Sequence, residues 1–200
     1  MSAKRFDELA AAWDNEPQHR ERAMALAQAL TRLLPLSKDM KVLECGAGTG
    51  LLAAFLAPRV GHLLATDSSS GMLQALEKNC QALENVAVRS FDPSCEVLDE
   101  AFYLIVAAML LHHIENTEKV LHHFHAMLEP GGWLALADLD EEDGSFHGDM
   151  PQVAHHGFNR KELQRLLEAS GFGGIRMETA HHIEKNGRTY PVFLAVAQRT

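Results

Sequence analysis

The sequence predicts an α/β fold in which a doubly wound, mostly parallel sheet carries helices on both faces. Short apolar segments alternate with segments of helical periodicity along the chain, as in parallel strands joined by right-handed crossovers. The strand segments, such as "HLLATD" and "FYLIVAA", are almost continuously apolar, which suits a sheet covered on both faces. A chain of 200 residues can bury one core, so we expect a single domain over residues 1–200.

The first part of the chain is predicted to be an N-terminal helical extension, residues 1–36, before an α/β core at residues 37–200. Helices are expected at 5–13 and 19–34. In the second helix, apolar residues recur at helical spacing before Pro35 ends the pattern.

The core is predicted to alternate strands and helices to its end. Ligands of such sheets bind at the carboxyl ends of the strands. The expected strands cover 40–45, 62–67, 86–91, 102–109 and 131–138, followed by two strands near Ile175 and Val192. The expected helices cover 49–58, 69–83, 116–128 and 159–170.

Composition excludes several classes of function. The formal charge is −9, and no basic stripe with interleaved aromatic residues occurs, so nucleic acid is a poor partner. The N-terminus lacks the apolar core of a signal peptide, and the longest apolar run is too short to span a bilayer. Three widely spaced cysteines argue against a disulfide framework and predict thiols in a reducing, cytoplasmic compartment.

The stretch "LECGAGTG", residues 43–50, combines a glycine-rich turn with an acid at the strand end. It departs from the dinucleotide fingerprint because Leu51 stands where the third glycine is expected. The carboxylate of Glu44 would repel a pyrophosphate and attract an ammonium group. S-adenosylmethionine has an amino group, a sulfonium and no phosphate, and therefore fits. The alternative is a tight strand-to-helix turn that binds no ligand.

Two further acids end the following strands. Asp67 lies about twenty residues after the glycines, where an acid typically accepts both ribose hydroxyls. Enzymes that use NAD have the same device, and Asp67 could instead cap a helix. Asp92 could accept the adenine amino hydrogen, or could simply form an Asp-Pro turn.

Taken together, these motifs resemble a family. The stretches "VLECGAGTG", "ATDSSSGML", "NVAVRSFD", "LIVAAMLLHHI" and "LEPGGWLALAD" follow one another from about residue 41 to residue 138. The sequence resembles class I S-adenosylmethionine-dependent methyltransferases, which are Rossmann-like, and most nearly the small-molecule branch that includes ubiquinone/menaquinone-type enzymes. The resemblance implies a seven-stranded sheet whose last strand is antiparallel.

The resemblance also implies roles for individual residues. Those placed around the cofactor are Glu44 at the amino group, Gly46 and Gly48 beside the methionine part, Asp67 at the ribose, Ser68 or Met72 near the adenine, Asp92 and Phe91 at the adenine amine and ring, and Met109 and Leu110 under the methionine. Trp13 would close over the cofactor, although ordinary helix packing explains it equally well. The family's common Asp and Arg are replaced by Tyr103 and Ala126, which affects local packing more than chemistry.

Twelve histidines, with four adjacent pairs, raise the questions of a metal and a base. Neighbouring side chains diverge on a helix or a strand and chelate badly, so no metal site is expected. His113 or His156 is the candidate general base, although a purely structural role is favoured for both. The long acidic loop 138–157 is either a lid over the acceptor or a solvated connection.

The sequence thus predicts methyl transfer from S-adenosylmethionine to a small molecule, with S-adenosylhomocysteine as product. The alternatives are a methyltransferase acting on a protein side chain, a protein that binds the cofactor without turnover, and, less favoured, an NAD(P)-dependent oxidoreductase. Loops at the acceptor side of this fold vary freely, so the acceptor itself is not predicted.

Overall fold

The computed structural model describes residues 3–148 and 153–200. In these residues one seven-stranded sheet has the strand order β3-β2-β1-β4-β5-β7-β6, and the predicted fold class is confirmed. The strands are β1 (Lys41–Cys45), β2 (His62–Asp67), β3 (Val86–Ser90), β4 (Phe102–Ala108), β5 (Leu128–Leu139), β6 (Phe172–Lys185) and β7 (Arg188–Arg199). The helices are α1 (Ala3–Trp13), α2 (Pro17–Leu33), α3 (Leu51–Leu56), α4 (Ser70–Cys80), α5 (Thr117–Met127) and α6 (Arg160–Ala169).

The first five strands run parallel to one another, and β7 runs antiparallel between β5 and β6. A two-residue turn reverses the chain between the last two strands. Asn186 and Gly187 both have left-handed φ, at 53° and 72°, as a type I′ hairpin turn requires. This turn makes the last strand antiparallel, as expected.

Two apolar cores lie on opposite faces of the sheet because strand side chains alternate. Val42 and Leu104 point into the core beneath α2 and α3. Their neighbours Leu43 and Ile105 point into the second core, which α5 and α6 cover. All four are essentially inaccessible, so β1 and β4 carry apolar side chains on both faces, as the sequence indicated.

The predicted helix ends differ from the observed ones at the capping residues. Ser69 and Asn116 were counted as helical, but each is the N-cap of the helix that follows. Their side chains accept the backbone N–H groups of Met72 and Lys119. The predicted helix 49–58 is shorter, because α3 ends at Leu56 and a 3₁₀ turn containing Pro58 follows it.

No helix in the part of the chain that the structure describes is both long enough and apolar enough to cross a membrane.

Candidate functional site

A cavity of about 800 Å³ opens at the carboxyl ends of β1, β2 and β4, where ligands of such sheets bind. His112, His113 and part of the 138–157 loop border it on one side. It brings together all of the residues predicted around the cofactor, namely Trp13, Glu44, Gly46, Gly48, Asp67, Ser68, Met72, Phe91, Asp92, Met109 and Leu110. His156 is not among the lining residues.

Helix α1 is fastened over this cavity by two aspartates. Asp7 accepts hydrogen bonds from the Ser69 hydroxyl at 2.7 Å and the Gly71 N–H at 2.8 Å. These hydrogen bonds, with that from Gly71 first, lower the pKa of Asp7. Asp14, just after the helix, accepts the Thr49 hydroxyl at 2.5 Å. The extension is therefore joined to the glycine loop and to the start of α4.

The glycine loop needs glycine for both conformation and space. Gly46 has φ +70°, and a Cβ there would lie 3.0 Å from Leu110 Cδ1. Gly50 has φ +90°, and a Cβ there would lie only 2.6 Å from Leu76 Cδ1 on α4. In the dinucleotide fingerprint the third glycine allows a helix to pack closely against the strand. Here Gly50, one position earlier than Leu51, is the glycine that allows close packing, in this case against α4.

Glu44 is the most perturbed acid of the site. It lies on β1 between Ala65 and Val106 and is 2% exposed. Its Oε2 atom is buried and has no hydrogen-bond partner among the described residues. Burial raises the pKa of Glu44 to about 8, and the charge of nearby Asp67 adds to the shift. A buried carboxyl with a free oxygen is suited to a cationic ligand group.

Asp67, at the end of β2, is oriented by backbone N–H groups of the glycine loop and of the residues before α4. Its Oδ2 accepts the Gly48 N–H at 2.9 Å, and its Oδ1 accepts the Ser69 N–H at 2.9 Å. Burial is the larger effect and raises the pKa of Asp67, while these N–H groups oppose the shift. The carboxylate is oriented by backbone donors and keeps acceptor capacity towards the cavity.

Trp13 belongs to an aromatic wall on the α1 side. Its ring stacks on His19 with centroids 4.1 Å apart and meets the edge of Phe6 at 6.1 Å. Phe6 in turn contacts His113 at 5.6 Å. Trp13 therefore lines the cavity and also packs on Phe6 and His19 of the helices. The contacts are compatible with both predicted roles, closing over a cofactor and helix packing.

The residues after β3 and β4 form the floor and one end of the cavity. Phe91 is 2% exposed, and Asp92 Oδ1 accepts the Ser94 N–H at 2.9 Å, which is the turn considered as its alternative role. Met109 has φ 55°, an uncommon value for a residue with a side chain. Its N–H donates to the Ala137 carbonyl at 2.7 Å, so backbone pairing holds it in this conformation.

A histidine–aspartate pair that the sequence analysis did not single out lies beside the cavity. His112 Nδ1 is 2.6 Å from Asp138 Oδ1, and both side chains are almost fully buried. Asp138 also accepts the Leu139 N–H at 2.8 Å. A carboxylate oxygen accepts, so Nδ1 of His112 is the donor in this contact and Nε2 is the nitrogen left to accept a proton.

His113, the predicted base, has a different environment. Its Nδ1 is buried without a hydrogen-bond partner among the described residues. Burial, with smaller contributions from the neighbouring imidazoles of His112 and His147, lowers its pKa to about 2. A histidine with so low a pKa is a weak proton acceptor.

Arg22, on α2, is a second lining residue that the sequence analysis missed. Burial lowers its pKa to about 10, and the charge of Asp138 opposes that shift. Arg22 precedes Leu26 and Leu30 by one and two helical turns, on the buried stripe of α2. The sequence does hold one indication of this role, because Arg22 occupies a position where the apolar pattern of α2 would place an apolar residue.

Residues 149–152 of the predicted loop 138–157 lie outside the described residues, and part of the remainder borders the cavity. Phe146 and His147 line it, and Arg160 anchors the start of the loop through two hydrogen bonds to Asp140, at 2.6 and 2.7 Å. His156 is exposed and lies 3.6 Å from Glu142. Its assignment as a base stays a prediction that the cavity does not support.

Comparisons with known proteins bear on this arrangement. A protein-family model described as a methyltransferase domain matches residues 18–176. The hybrid PKS-NRPS synthetase poxE of Penicillium oxalicum is 28% identical over 196 residues, covering 86% of this chain and 5% of the synthetase. The chain therefore spans only a small part of the length of the curated relatives that head this comparison.

Two solved structures illustrate the shared fold. The N-methyltransferase NodS from Bradyrhizobium japonicum superimposes with a TM-score of 0.72 at 19% identity, covering 93% of this chain and 98% of NodS. Phosphoethanolamine N-methyltransferase 2 of Haemonchus contortus, solved with S-adenosyl-L-methionine, has a TM-score of 0.74 at 16% identity, covering 90% of this chain and 52% of that one. At these identities the likeness concerns the fold.

Proposed function

From the premise that the chain belongs to the family of methyltransferase domains, we propose that its cavity binds S-adenosylmethionine and directs the methyl group to a small molecule. The observation that carries the proposal is the buried carboxyl of Glu44, whose Oε2 is unpaired among the described residues. Glu44 lies on β1 just before the glycine loop and lines the same cavity as Asp67, where a methionine amino group would satisfy it. The Haemonchus contortus relative binds this cofactor, which adds support.

The methionine part of the cofactor fits the charges at one end of the cavity. Glu44 would bind the ammonium group, and Arg22 would bind the carboxylate, because a guanidinium pairs well with carboxylates. Gly46 and Gly48 would let the backbone approach the chain between these groups. Arg22 and a Glu44 that ionises on binding would thus have the signs that an amino acid requires.

The nucleoside part fits the other end. Asp67 is oriented by the N–H groups of Gly48 and Ser69 and would accept the ribose hydroxyls. The adenine would lie near Phe91, Ser68 and Met72, with Asp92 accepting its amine. One oxygen of Asp92 already accepts a hydrogen bond within a turn, so Asp92 would contribute less to cofactor binding than Asp67.

When bound, the cofactor supplies a methyl group on a positively charged sulfur and leaves as S-adenosylhomocysteine. The protein's contribution is to align the acceptor and exclude water. Helix α1, held by Asp7 and Asp14, closes one side. For an acceptor that must lose a proton, we assign the role of general base to His112 rather than His113. Asp138 fixes the tautomer of His112, whereas His113 has a strongly lowered pKa.

A small molecule remains the proposed acceptor class. The cavity measures about 800 Å³, within the range of small-molecule sites. Similarity to one part of a hybrid PKS-NRPS synthetase adds polyketide-like and peptide-like compounds to the candidates. A cytoplasmic location, suggested by the three free cysteines, is part of the same proposal.

Calorimetric titration with S-adenosylhomocysteine tests the cofactor assignment, and failure to bind at millimolar concentrations would contradict it. The acceptor is sought by incubating the protein and labelled S-adenosylmethionine with metabolite pools and peptides. Label found only in peptides would favour a protein acceptor. With an acceptor in hand, His112→Ala is expected to lower kcat more than His113→Ala.

A further inference from the structure

Three metal-ligating side chains of the 138–157 loop come together outside the cofactor residues. They are Glu142, His147 and His156, and one ligand atom from each lies within 4.8 Å of the other two. They are five and nine positions apart in the chain, so no helical or strand periodicity explains their meeting. Tertiary structure brings them together.

Two of these groups are buried without hydrogen-bond partners among the described residues. Glu142 Oε1 and His147 Nδ1 are both inaccessible and unpaired. Buried polar atoms in proteins are nearly always paired with protein groups, water or an ion. His156 Nδ1 lies 3.6 Å from Glu142 Oε1, which is too long for a hydrogen bond and is close to the spacing of two ligands on one ion.

The surrounding loop positions these groups. The second oxygen of Glu142, Oε2, accepts the Phe146 N–H at 3.0 Å, and the Glu142 N–H donates to the His156 carbonyl at 2.9 Å. Gly144, with a left-handed φ of +88°, lies beside the His156 ring, whose Cε1 would be 3.4 Å from a Cβ at that position. Such supporting contacts orient ligands around a metal.

We propose that Glu142, His147 and His156 bind a divalent transition-metal ion of the zinc class. Two imidazoles and one glutamate are a known ligand set for zinc, with a fourth position left open. Ligands of a tetrahedral zinc ion lie about 3.4 Å apart, as follows from bond lengths near 2.1 Å. The pair of Glu142 and His156 is already near this spacing, and the exposed His156 ring can move to close the set around His147.

The site borders the cavity. His147 lines it, and the His147 ring centroid lies 5.0 Å from that of His112. An ion there would tie two parts of the loop together beside the acceptor side. The ammonium group of Lys185, which donates to the Phe146 carbonyl at 2.6 Å, would repel the ion. The negative charge of Glu142 would offset this repulsion.

This inference departs from the sequence expectation of no metal. That expectation considered adjacent histidine pairs, whose side chains diverge on a helix or a strand. The cluster instead takes one member of the pair at 155–156 together with His147, which has no histidine neighbour in sequence. It does not depend on the identity of the methyl donor.

The test is titration of the untagged, chelator-stripped full chain with zinc chloride in competition with a chromophoric chelator. We expect one tight site per chain. His156→Ala and Glu142→Gln should each weaken binding at least about tenfold. The matched control is His62→Ala, which removes an exposed histidine at the amino end of β2, away from the loop that follows the carboxyl end of β5, and should leave the affinity unchanged. Zinc should also raise the melting temperature of the parent chain but not of His156→Ala.

Absence of binding at micromolar zinc would overturn the proposal, as would equal affinity in His156→Ala and His62→Ala. Tighter binding of magnesium than of zinc would contradict the metal class. Because His156 is 56% exposed, its substitution leaves the fold intact and keeps the experiment decisive even where His147→Ala fails to fold. The visible spectrum of the cobalt-substituted protein then reports whether the ion is four-coordinate.

Discussion

Replacing Glu44 by Gln should stabilise the protein while weakening its binding of the cofactor. In the folded chain burial raises the pKa of Glu44 from 4.5 to about 8. Below about pH 4.5 the carboxyl is protonated in both the folded and the unfolded chain and imposes no cost. As pH rises towards 8, the unfolded chain releases a proton that the folded chain retains, so the free energy of unfolding falls.

The size of the effect follows from the pKa shift. Each pH unit between the two pKa values costs about 1.4 kcal/mol. At pH 7, which is 2.5 units above 4.5, the loss is about 3 kcal/mol, and Glu44→Gln should recover it because the amide does not titrate. At pH 5.5 the gain should shrink to about 1 kcal/mol.

Urea unfolding of the parent and Glu44→Gln chains at both pH values measures this difference directly. The contributions of other titrating groups cancel in the comparison. Glu77→Gln, an exposed glutamate on α4, is the matched control and should change stability by less than about 0.5 kcal/mol. A Glu44→Gln chain no more stable than the parent at pH 7 would refute the reasoning.

Ligand binding supplies the second half of the prediction. If Glu44 receives the ammonium group, binding of S-adenosylhomocysteine should drive off the proton that Glu44 holds at pH 7. Calorimetry in buffers of different ionisation enthalpy should show release of about one proton by the parent chain and none by Glu44→Gln. The variant should bind about thirtyfold more weakly, equivalent to about 2 kcal/mol. Equal proton release by both chains would place the ammonium elsewhere.

Three further predictions concern single residues. Asp67→Ala should weaken binding of S-adenosylhomocysteine by roughly 30- to 150-fold, about 2–3 kcal/mol, through lost charge-assisted hydrogen bonds to the ribose; calorimetry measures it. Gly50→Ala should destabilise the fold by about 1–3 kcal/mol in urea, because a Cβ would lie 2.6 Å from Leu76 at φ +90°. His113, whose pKa burial lowers from 6.5 to about 2, should stay neutral in the native protein at pH 5. In the unfolded chain the His113 imidazole takes up a proton below pH 6.5, so the free energy of unfolding falls by about 1–2 kcal/mol between about pH 6.5 and pH 5. His113→Gln should remove this pH dependence. NMR of the His113 imidazole in the parent chain reports its charge.

Each of these has a control and a contrary result. Asp99→Ala, an exposed acid after β3, should leave binding unchanged, and equal affinity in Asp67→Ala would mean that the ribose assignment is wrong. Gly174→Ala shares a positive φ of +60° but has open space around the added Cβ. It should cost less than Gly50→Ala, and equal costs would deny the clash. An imidazole of His113 that is charged at pH 5 in the folded chain would contradict its buried environment.

The order and type of the elements could be predicted because they depend on local sequence. Strand β2 was predicted with the bounds observed, His62–Asp67, since its apolar run ends at an acid. The resemblance to methyltransferases is confirmed by the family model. Errors at helix ends arose where Ser69 and Asn116 cap the helix rather than join it, because periodicity alone does not separate a cap from a first turn.

The roles of the histidines could not be predicted in the same way. His112 and His113 are adjacent in sequence, but one pairs with Asp138 and the other is buried with an unpaired Nδ1. Arg22 could have been noticed on the buried stripe of α2, yet nothing in its neighbours shows that this stripe passes a cavity. The approach of His156 to Glu142 depends on how a long loop folds back.

Local sequence determined that a glycine loop with Glu44 follows the first strand and that Asp67 ends the second, because parallel strands deliver their carboxyl ends to one edge of the sheet. Tertiary structure alone decided that Glu44 retains a proton at neutral pH, that His112 has an aspartate partner, and that Glu142, His147 and His156 meet. Those properties arise from desolvation and from contacts between segments distant in the chain. Desolvation and such contacts cannot be read from spacing or periodicity, because they depend on which side chains the fold places around a group.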